Sequence, residues 1–404
     1  MKTKIIVITI ALTMVCSTAQ GQGILRKAGN AAERAIERKA EQEARKAVNK
    51  AVDEVISGNK NAKDQGANIP EDVKIPRSKQ SMESAYAKSG FVAGDDIIFD
   101  DPMDNETVGE FPSQWSLLRE TSEVVDVNGK KTLVLSNRYT SITPQMGSSK
   151  NYLGDVFTLE FDYFQPVMDN YRSKIFQITF YTPDSDSRIM SISKQNDPND
   201  NRLGFSWLSN SGHSSTSAEV LLATDEWHHF SVSFNKQIWR VYIDGVRVAN
   251  VPNVANAPGW VDMSMQNGSG DLYLTNFRIA QGASKLSDRV ESEGKFVSYG
   301  ITFDTAKSTI KPESLGELSR IAQLMSDNPA LKFSVEGHCD NTGDPATSRT
   351  LTEARAKVVV EKLVQMGVAS NRLTSAGKGQ ENPIADNGTN VGRAKNNRIV
   401  FVKQ

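Results

Sequence analysis

Cysteine is nearly absent: the 404 residues hold two, Cys16 and Cys339. Cys16 falls in a stretch that reads as a cleaved leader, which leaves Cys339 alone and excludes an intramolecular disulfide even in an oxidising compartment. An excess of either charge is also missing, with 47 Lys and Arg against 48 Asp and Glu. A net charge of −1 carries no nucleic-acid footprint. The apolar run Ile5–Val15 is too short to span a bilayer, so a membrane-embedded ionisable residue is not expected either. A transmembrane barrel would need many evenly spaced alternating strands with aromatic girdles, and no such array is visible. No nucleophile motif and no phosphate-binding loop appears.

What is present implies several domains, because 404 residues exceed one ordinary domain. Residues 1–21 read as a secretory signal, with Lys2 and Lys4 before the apolar run and Ala19-Gln20-Gly21 as small cleavage residues. Lipidation at Cys16 would need a small residue before it, and Val15 fits that poorly. Residues 22–57 are rich in Ala, Glu, Lys and Arg without Pro, and their small apolar residues recur at Ala28, Ala32, Ala35, Ala44, Val48, Val52 and Val55. This predicts a charged helical stalk. It buries little by itself, which leaves a solvated stalk, self-association through the Ala stripe, or docking on a membrane surface. Residues 58–90 hold scattered Gly, Asn and Pro and read as a flexible linker.

Residues 91–283 are a β-rich block. Phe157 to Tyr163, Phe230 to Phe234 and Trp239 to Ile243 alternate apolar and polar, and Asp244-Gly245 supplies a tight hairpin turn. Many short strands of this kind predict an all-β sandwich. Residues 284–294 read as a polar linker and 295–404 as a compact α/β domain of strand, helix, strand, helix, strand and a last strand near Ile399–Val402.

Within that last domain, Leu331, Phe333 and Val335 alternate with polar neighbours, the period of a half-buried strand. The same parity points Cys339 inward and leaves Asp340 outward at the strand end. From Leu351 the apolar steps change to three and four, the pattern of an amphipathic helix closed by Gly367. Arg355 lies one turn beyond Leu351, at the edge of the buried stripe. An anion and a cation are thereby expected on one rim with a gap between them.

Several spaced motifs in this domain, Phe303-Asp304-Thr305, Gly337-His338-Cys339-Asp340, Leu351-Thr352, Arg355-Ala356, Gly392-Arg393 and Asn396-Asn397-Arg398, resemble the OmpA-like peptidoglycan-binding domain. The resemblance implies non-covalent binding of the diaminopimelate residue of the peptidoglycan stem peptide by Asp340 and Arg355, with Thr342, Asn341, Ser348 and Arg393 as further site residues. Three positions depart from the family pattern: Cys339 replaces a Thr, Ser348 stands where a ligand-contacting Asn is usual, and Asn397 replaces the first Arg of the terminal pair. The run Trp227-His228-His229-Phe230 through Val246 resembles the laminin-G and concanavalin-like jelly-roll superfamily, whose members often bind glycans or proteins.

Enzyme chemistry finds weak support. Glu160-Phe161-Asp162 resembles the paired-acid strand of jelly-roll glycoside hydrolases, but Gln165 stands near where the second Glu would be and has no acidic proton to give. His228 and His229, as strand neighbours, point to opposite faces and make a poor metal pair. Asp184, Asp186, Asp197 and Asp200 lack bidentate calcium-loop spacing. His338 is expected to order the strand end.

The expectation is therefore a non-enzymatic protein without cofactor, metal or nucleic-acid partner. It would be exported to the periplasm and associate with the cell wall and outer membrane, anchoring a sandwich that meets a glycan or another envelope protein. The alternative is a glycan-binding or glycan-cleaving sandwich that the last domain only localises.

Overall fold

The computed structural model describes residues 67–404 apart from 71, 137–138, 148, 167–173, 184, 197–201, 267–270 and 283–284. The expected signal and stalk, 1–21 and 22–57, lie outside the described residues, as do Asp184, Asp197 and Asp200.

The β-rich block folds as two sheets around one core. Val156–Phe164 shows why. Its Phe157, Leu159, Phe161 and Tyr163 are at most 1% exposed, while Glu160 and Asp162 between them turn to the other face, as the period of two requires. It pairs antiparallel with Trp227–Asn235 on one side and Leu272–Gln281 on the other. Phe230, Val232 and Phe234 join the same core from the first partner, and Leu274, Phe277 and Ile279 from the second. The facing sheet, which includes Lys174–Tyr181 and Trp260–Gln266, contributes Phe176, Ile178, Phe180, Val261 and Met263. Stacked rings such as Phe161 and Phe230, 5.1 Å apart, fill the layer between the sheets. The expected hairpin turn is present: Asp244 and Gly245 have φ of 48° and 77° between Ile238–Ile243 and Val246–Val251.

The C-terminal domain is a four-stranded sheet in the order Lys295–Ser298, Arg398–Lys403, Phe333–His338, Leu373–Gly379. Helix α3, Leu315–Asp327, follows a 3-10 turn that begins at Pro312, and it buries Leu315, Leu318, Ile321 and Met325. Helix α4, Pro345–Gln365, starts earlier than its apolar period implied, with Asp344 as N-cap accepting from the Thr347 amide at 2.9 Å. Its buried stripe is small and partly polar: Ser348, Thr352, Ala356, Val359 and Leu363. The narrow stripe lets the helix approach the sheet closely, and a Cβ on Gly337 would collide with the Thr352 carbonyl oxygen. Among the described residues no helix is long and apolar enough to cross a membrane.

Both expected linkers differ from the sequence reading. In 58–90, Asp72–Lys74 pairs parallel with the edge strand Gly212–Leu221. Lys79–Lys88 then forms helix α1, capped by Ser78. Its Tyr86 is 5% exposed and sits in the core of the C-terminal domain. In 284–294, helix α2, Leu286–Glu293, adds Leu286 and Val290 to that core and ends at Gly294 with φ 66°. The composition that marks a linker belongs to the Gly- and Asn-rich residues before 70. Residues 79–88 are mostly good helix formers, and the i, i+4 pair Leu286 and Val290 is the minimum apolar face.

The sandwich and the C-terminal domain consequently lie in one compact unit, Asn61–Gln404. Lys395 pairs with Asp96 at 2.6 Å, and Arg278 Nη1 donates to the Tyr299 carbonyl at 3.2 Å. Helix α5, Asn390–Asn396, places Ala394 and Val391 against Ile97 and Ala280 of the sandwich.

Candidate functional site

Between the two parts lies a cleft of about 560 Å³, within the usual range of small-ligand sites. One wall comes from the C-terminal domain. Asp340 follows the strand Phe333–His338, and its Oδ1 accepts from the Thr342 amide at 2.9 Å and the Thr342 hydroxyl at 2.6 Å. Its Oδ2 accepts from Asn397 Nδ2 at 2.6 Å, and its own amide donates to Asn397 Oδ1 at 3.1 Å. Asn397, the departure from the family's Arg, therefore orients Asp340 without neutralising it.

Arg355, on helix α4, donates from Nε to the Lys307 carbonyl at 2.9 Å, and its guanidinium stands 4.9 Å over the Phe303 ring. Burial pushes the guanidinium down from its ordinary value, and the Asp340 charge acts against that. No carboxylate of the described residues lies within ion-pair distance of Arg355, and no cation within that distance of Asp340. The two charges share a cleft without clamping each other. Arg393 also lines the cleft and donates only to the neutral Asn387 carbonyl and Asn390 side chain.

The other wall is the outward face of the sandwich. Register places His229 opposite Asp162, and Ser231 and Arg278 opposite Glu160. His229 Nδ1 lies 2.9 Å from Asp162 Oδ1 and its Nε2 is 3.5 Å from Glu160 Oε2. Lys130 and Asn276 also bond Asp162, and Arg278 pairs with Asp100 at 2.7 Å. Burial opposes a charge on His229, but the Asp162 hydrogen bond, the adjacent Glu160 and the charge of Glu313 across the cleft hold the imidazole well above its usual value. Burial likewise opposes the Asp162 charge, and His229 and Lys130 outweigh it, holding the carboxyl well below the carboxylate range. The alternating acids of this strand are turned into the cleft, with Glu160 and Asp162 side chains 13% and 17% exposed.

The expected site residues separate into groups. Asp340, Arg355, Thr342, Ser348 and Arg393 line the cleft, whereas Asn341 sits exposed on the loop outside it. Ser348, though it lines the cleft, is 7% exposed, which leaves little of it open to a ligand. Cys339 is half-buried, not inward as parity implied. The strand ends at His338, one residue short of Cys339, so its alternation does not carry through to the thiol. His338 is buried, 3.7 Å from Glu336, and burial with the Arg398 charge pushes it down to about 4. Phe303 lies outside the domain's first strand, Lys295–Ser298. It bridges to Ile310 in a loop and carries the Arg355 cation on its ring.

His228 is buried against Asp244 at 2.6 Å, on the face opposite His229. Gln165 accepts from the Tyr163 hydroxyl at 2.8 Å and does not line the cleft. Among the described residues no group of His, Cys, Asp and Glu has the placement of a metal site.

Comparison with known proteins extends this geometry. A carbohydrate-binding module from Bacillus subtilis aligns with 42% of this chain and 96% of its own at 16% identity and a TM-score of 0.31. The outer membrane porin F of Pseudomonas fluorescens is 41% identical over 103 residues, which is 26% of this chain and 32% of the porin. A peptidoglycan-binding protein, ArfA, of Mycobacterium bovis is 36% identical over 102 residues, 25% of this chain and 31% of its own. The chain thus spans about a third of the length of these two relatives. The OmpA family model matches residues 302–397, a stretch that holds Asp340, Arg355 and Arg393 and leaves the sandwich out.

Proposed function

We propose that this protein is a non-enzymatic component of the cell envelope that holds peptidoglycan through the diaminopimelate of its stem peptide. The observation that carries the reading is the pair of uncompensated charges, Asp340 and Arg355, lining one cleft. Diaminopimelate ends in an ammonium and a carboxylate on one carbon. Asp340, oriented by Thr342 and Asn397, receives the ammonium. Arg355, held from behind by the Lys307 carbonyl, keeps an edge of its fork for the carboxylate. Hydrogen bonds to charged groups contribute roughly 1.5–3 kcal/mol each, so a single site is modest and a polymer with many sites retains the protein. The mycobacterial relative is named a peptidoglycan-binding protein, which supports the same reading. The sandwich, of a laminin-G or concanavalin-like kind, is then fixed to the wall with the domain it packs on. Its own ligand would be a glycan or an envelope protein.

Sedimentation of the chain with purified peptidoglycan tests this. Asp340→Ala and Arg355→Ala should each abolish co-sedimentation while the melting temperature is kept, and Arg355→Lys should weaken it through loss of the fork. Unchanged sedimentation of the double alanine variant would place the wall contact elsewhere.

A further inference from the structure

Beyond the cleft, on the same outward face of the sandwich, three aromatic rings stand in a row. Register sets Trp227 opposite Phe164, and Phe164 opposite Tyr273, on three neighbouring strands. The Phe164 ring lies 5.1 Å from that of Trp227 and 5.9 Å from that of Tyr273, tilted by 40° and 52°. All three are half-buried, whereas their strand neighbours Tyr163, His228, Leu272 and Leu274 are buried. Apolar side chains exposed singly need no explanation, but a contiguous row of them does.

The row continues the cleft. Phe164 and Trp227 are two residues from Asp162 and His229, which line it, so about 7 Å separates the rings from that wall. Lys130 spans the boundary: its Nζ is 3.0 Å from Asp162 Oδ2 and 4.1 Å from the centroid of the Trp227 ring. At the other end the Tyr273 hydroxyl donates to Asp271 at 3.2 Å, which leaves its oxygen lone pairs for another donor.

We propose that Trp227, Phe164 and Tyr273 form a carbohydrate-binding shelf for the glycan strand of peptidoglycan. This rests on the reading of the Asp340 and Arg355 rim given above, because a stem peptide held there joins its sugar only a few residues away, about 10 Å of extended chain. A pyranose carries C–H bonds on its faces and hydroxyls around its edge. The faces cover aromatic rings, and the edge meets the polar groups at the ends of the row, Lys130 and the Tyr273 hydroxyl. The row crosses three strands, about 10 Å, the length of a disaccharide. It is one ring wide, which suits a sugar chain and not the broad apolar stripe of a helix. Lys130 is already paired with Asp162, so an uncharged chain fits best. The sandwich then contacts the wall itself, through residues outside the stretch matched by the OmpA family.

The test uses the full chain and two soluble ligands, titrated calorimetrically: glycan strands freed of their stem peptides by amidase digestion, and free meso-diaminopimelate. The unaltered chain should bind both. Trp227→Ala and Tyr273→Ala should each lower affinity for the strands about tenfold and leave diaminopimelate unchanged, while Trp227→Phe keeps most of the strand affinity. Asp340→Ala should do the reverse, losing diaminopimelate and keeping the strands. Urea midpoints identify an alanine variant that fails to fold, and strand binding by the unaltered chain then carries the test. No strand binding by the unaltered chain, or unchanged strand affinity in the folded ring variants, overturns the proposal and leaves the row a cross-strand packing element. Failure of the rim reading shows separately, as diaminopimelate affinity that Asp340→Ala does not change.

Discussion

Replacing Tyr86 by Ala tests whether the sandwich and the C-terminal domain are one body or two tethered ones. Tyr86 lies on helix α1, ahead of the sandwich in sequence, yet its side chain belongs to the core that holds Leu315, Leu318 and Phe333. It is 5% exposed, and its ring is 6.4 Å from that of His229. A buried aromatic removes about 150–250 Å² from water, which at about 25 cal/mol per Å² gives roughly 4–6 kcal/mol. Truncations of buried aromatics cost about 3–5 kcal/mol, and a loss in that range is expected here. Urea denaturation followed by tryptophan fluorescence measures it, with the m-value checking that the same surface unfolds. A loss below about 1 kcal/mol would mean that the helix does not dock and that the flexible tether implied by composition is the right description.

Other outcomes follow from particular contacts. Gly245→Ala should destabilise the chain, because φ is 77° and the new Cβ would come within 2.6 Å of the Tyr86 amide nitrogen; a neutral result by thermal denaturation would mean that α1 stands off the hairpin. His338 is pushed down to about 4 from 6.5, so between those pH values the unfolded chain binds a proton that the folded chain does not, and stability drops as pH drops. That drop is up to about 3 kcal/mol and should disappear in His338→Gln. Asp101 and Asp262, raised to about 6 by burial, act in the opposite sense, which makes the difference between the two proteins the quantity to measure. Burial raises the Cys339 thiol and the Ser348 hydroxyl offsets it. Ser348→Ala should thus move the pH midpoint of thiol labelling upward, and a downward shift would contradict that contact.

Much of the C-terminal domain was legible because its signals are local. Alternation at Leu331 to Val335 and the step change after Leu351 give the strand and helix that carry Asp340 and Arg355, and the structure sets both charges on one cleft. The helix start was readable as well, in Asp344 followed by Pro345, though apolar period alone placed it later. Helix α1 was hidden because only Tyr86 of its ten residues is buried, too little for periodicity to show. Ser78 before Lys79 was the available sign. The second wall was illegible for a different reason. Alternation says that Glu160 and Asp162 leave the sandwich core, and it is silent about what stands beyond them. The parity argument for Cys339 failed because the strand ends at His338, and alternation does not say where a strand stops.

The central claim is that the Asp340 and Arg355 rim reads the zwitterionic end of diaminopimelate, and the most direct measurement compares purified peptidoglycans that differ only there. Lysine at that stem position keeps the ammonium but lacks the carboxylate that Arg355 would pair with. The full chain should sediment with diaminopimelate-type peptidoglycan and remain in solution with the lysine type, and Arg355→Ala should remove the difference. Equal sedimentation of the unaltered chain with both polymers would contradict the account.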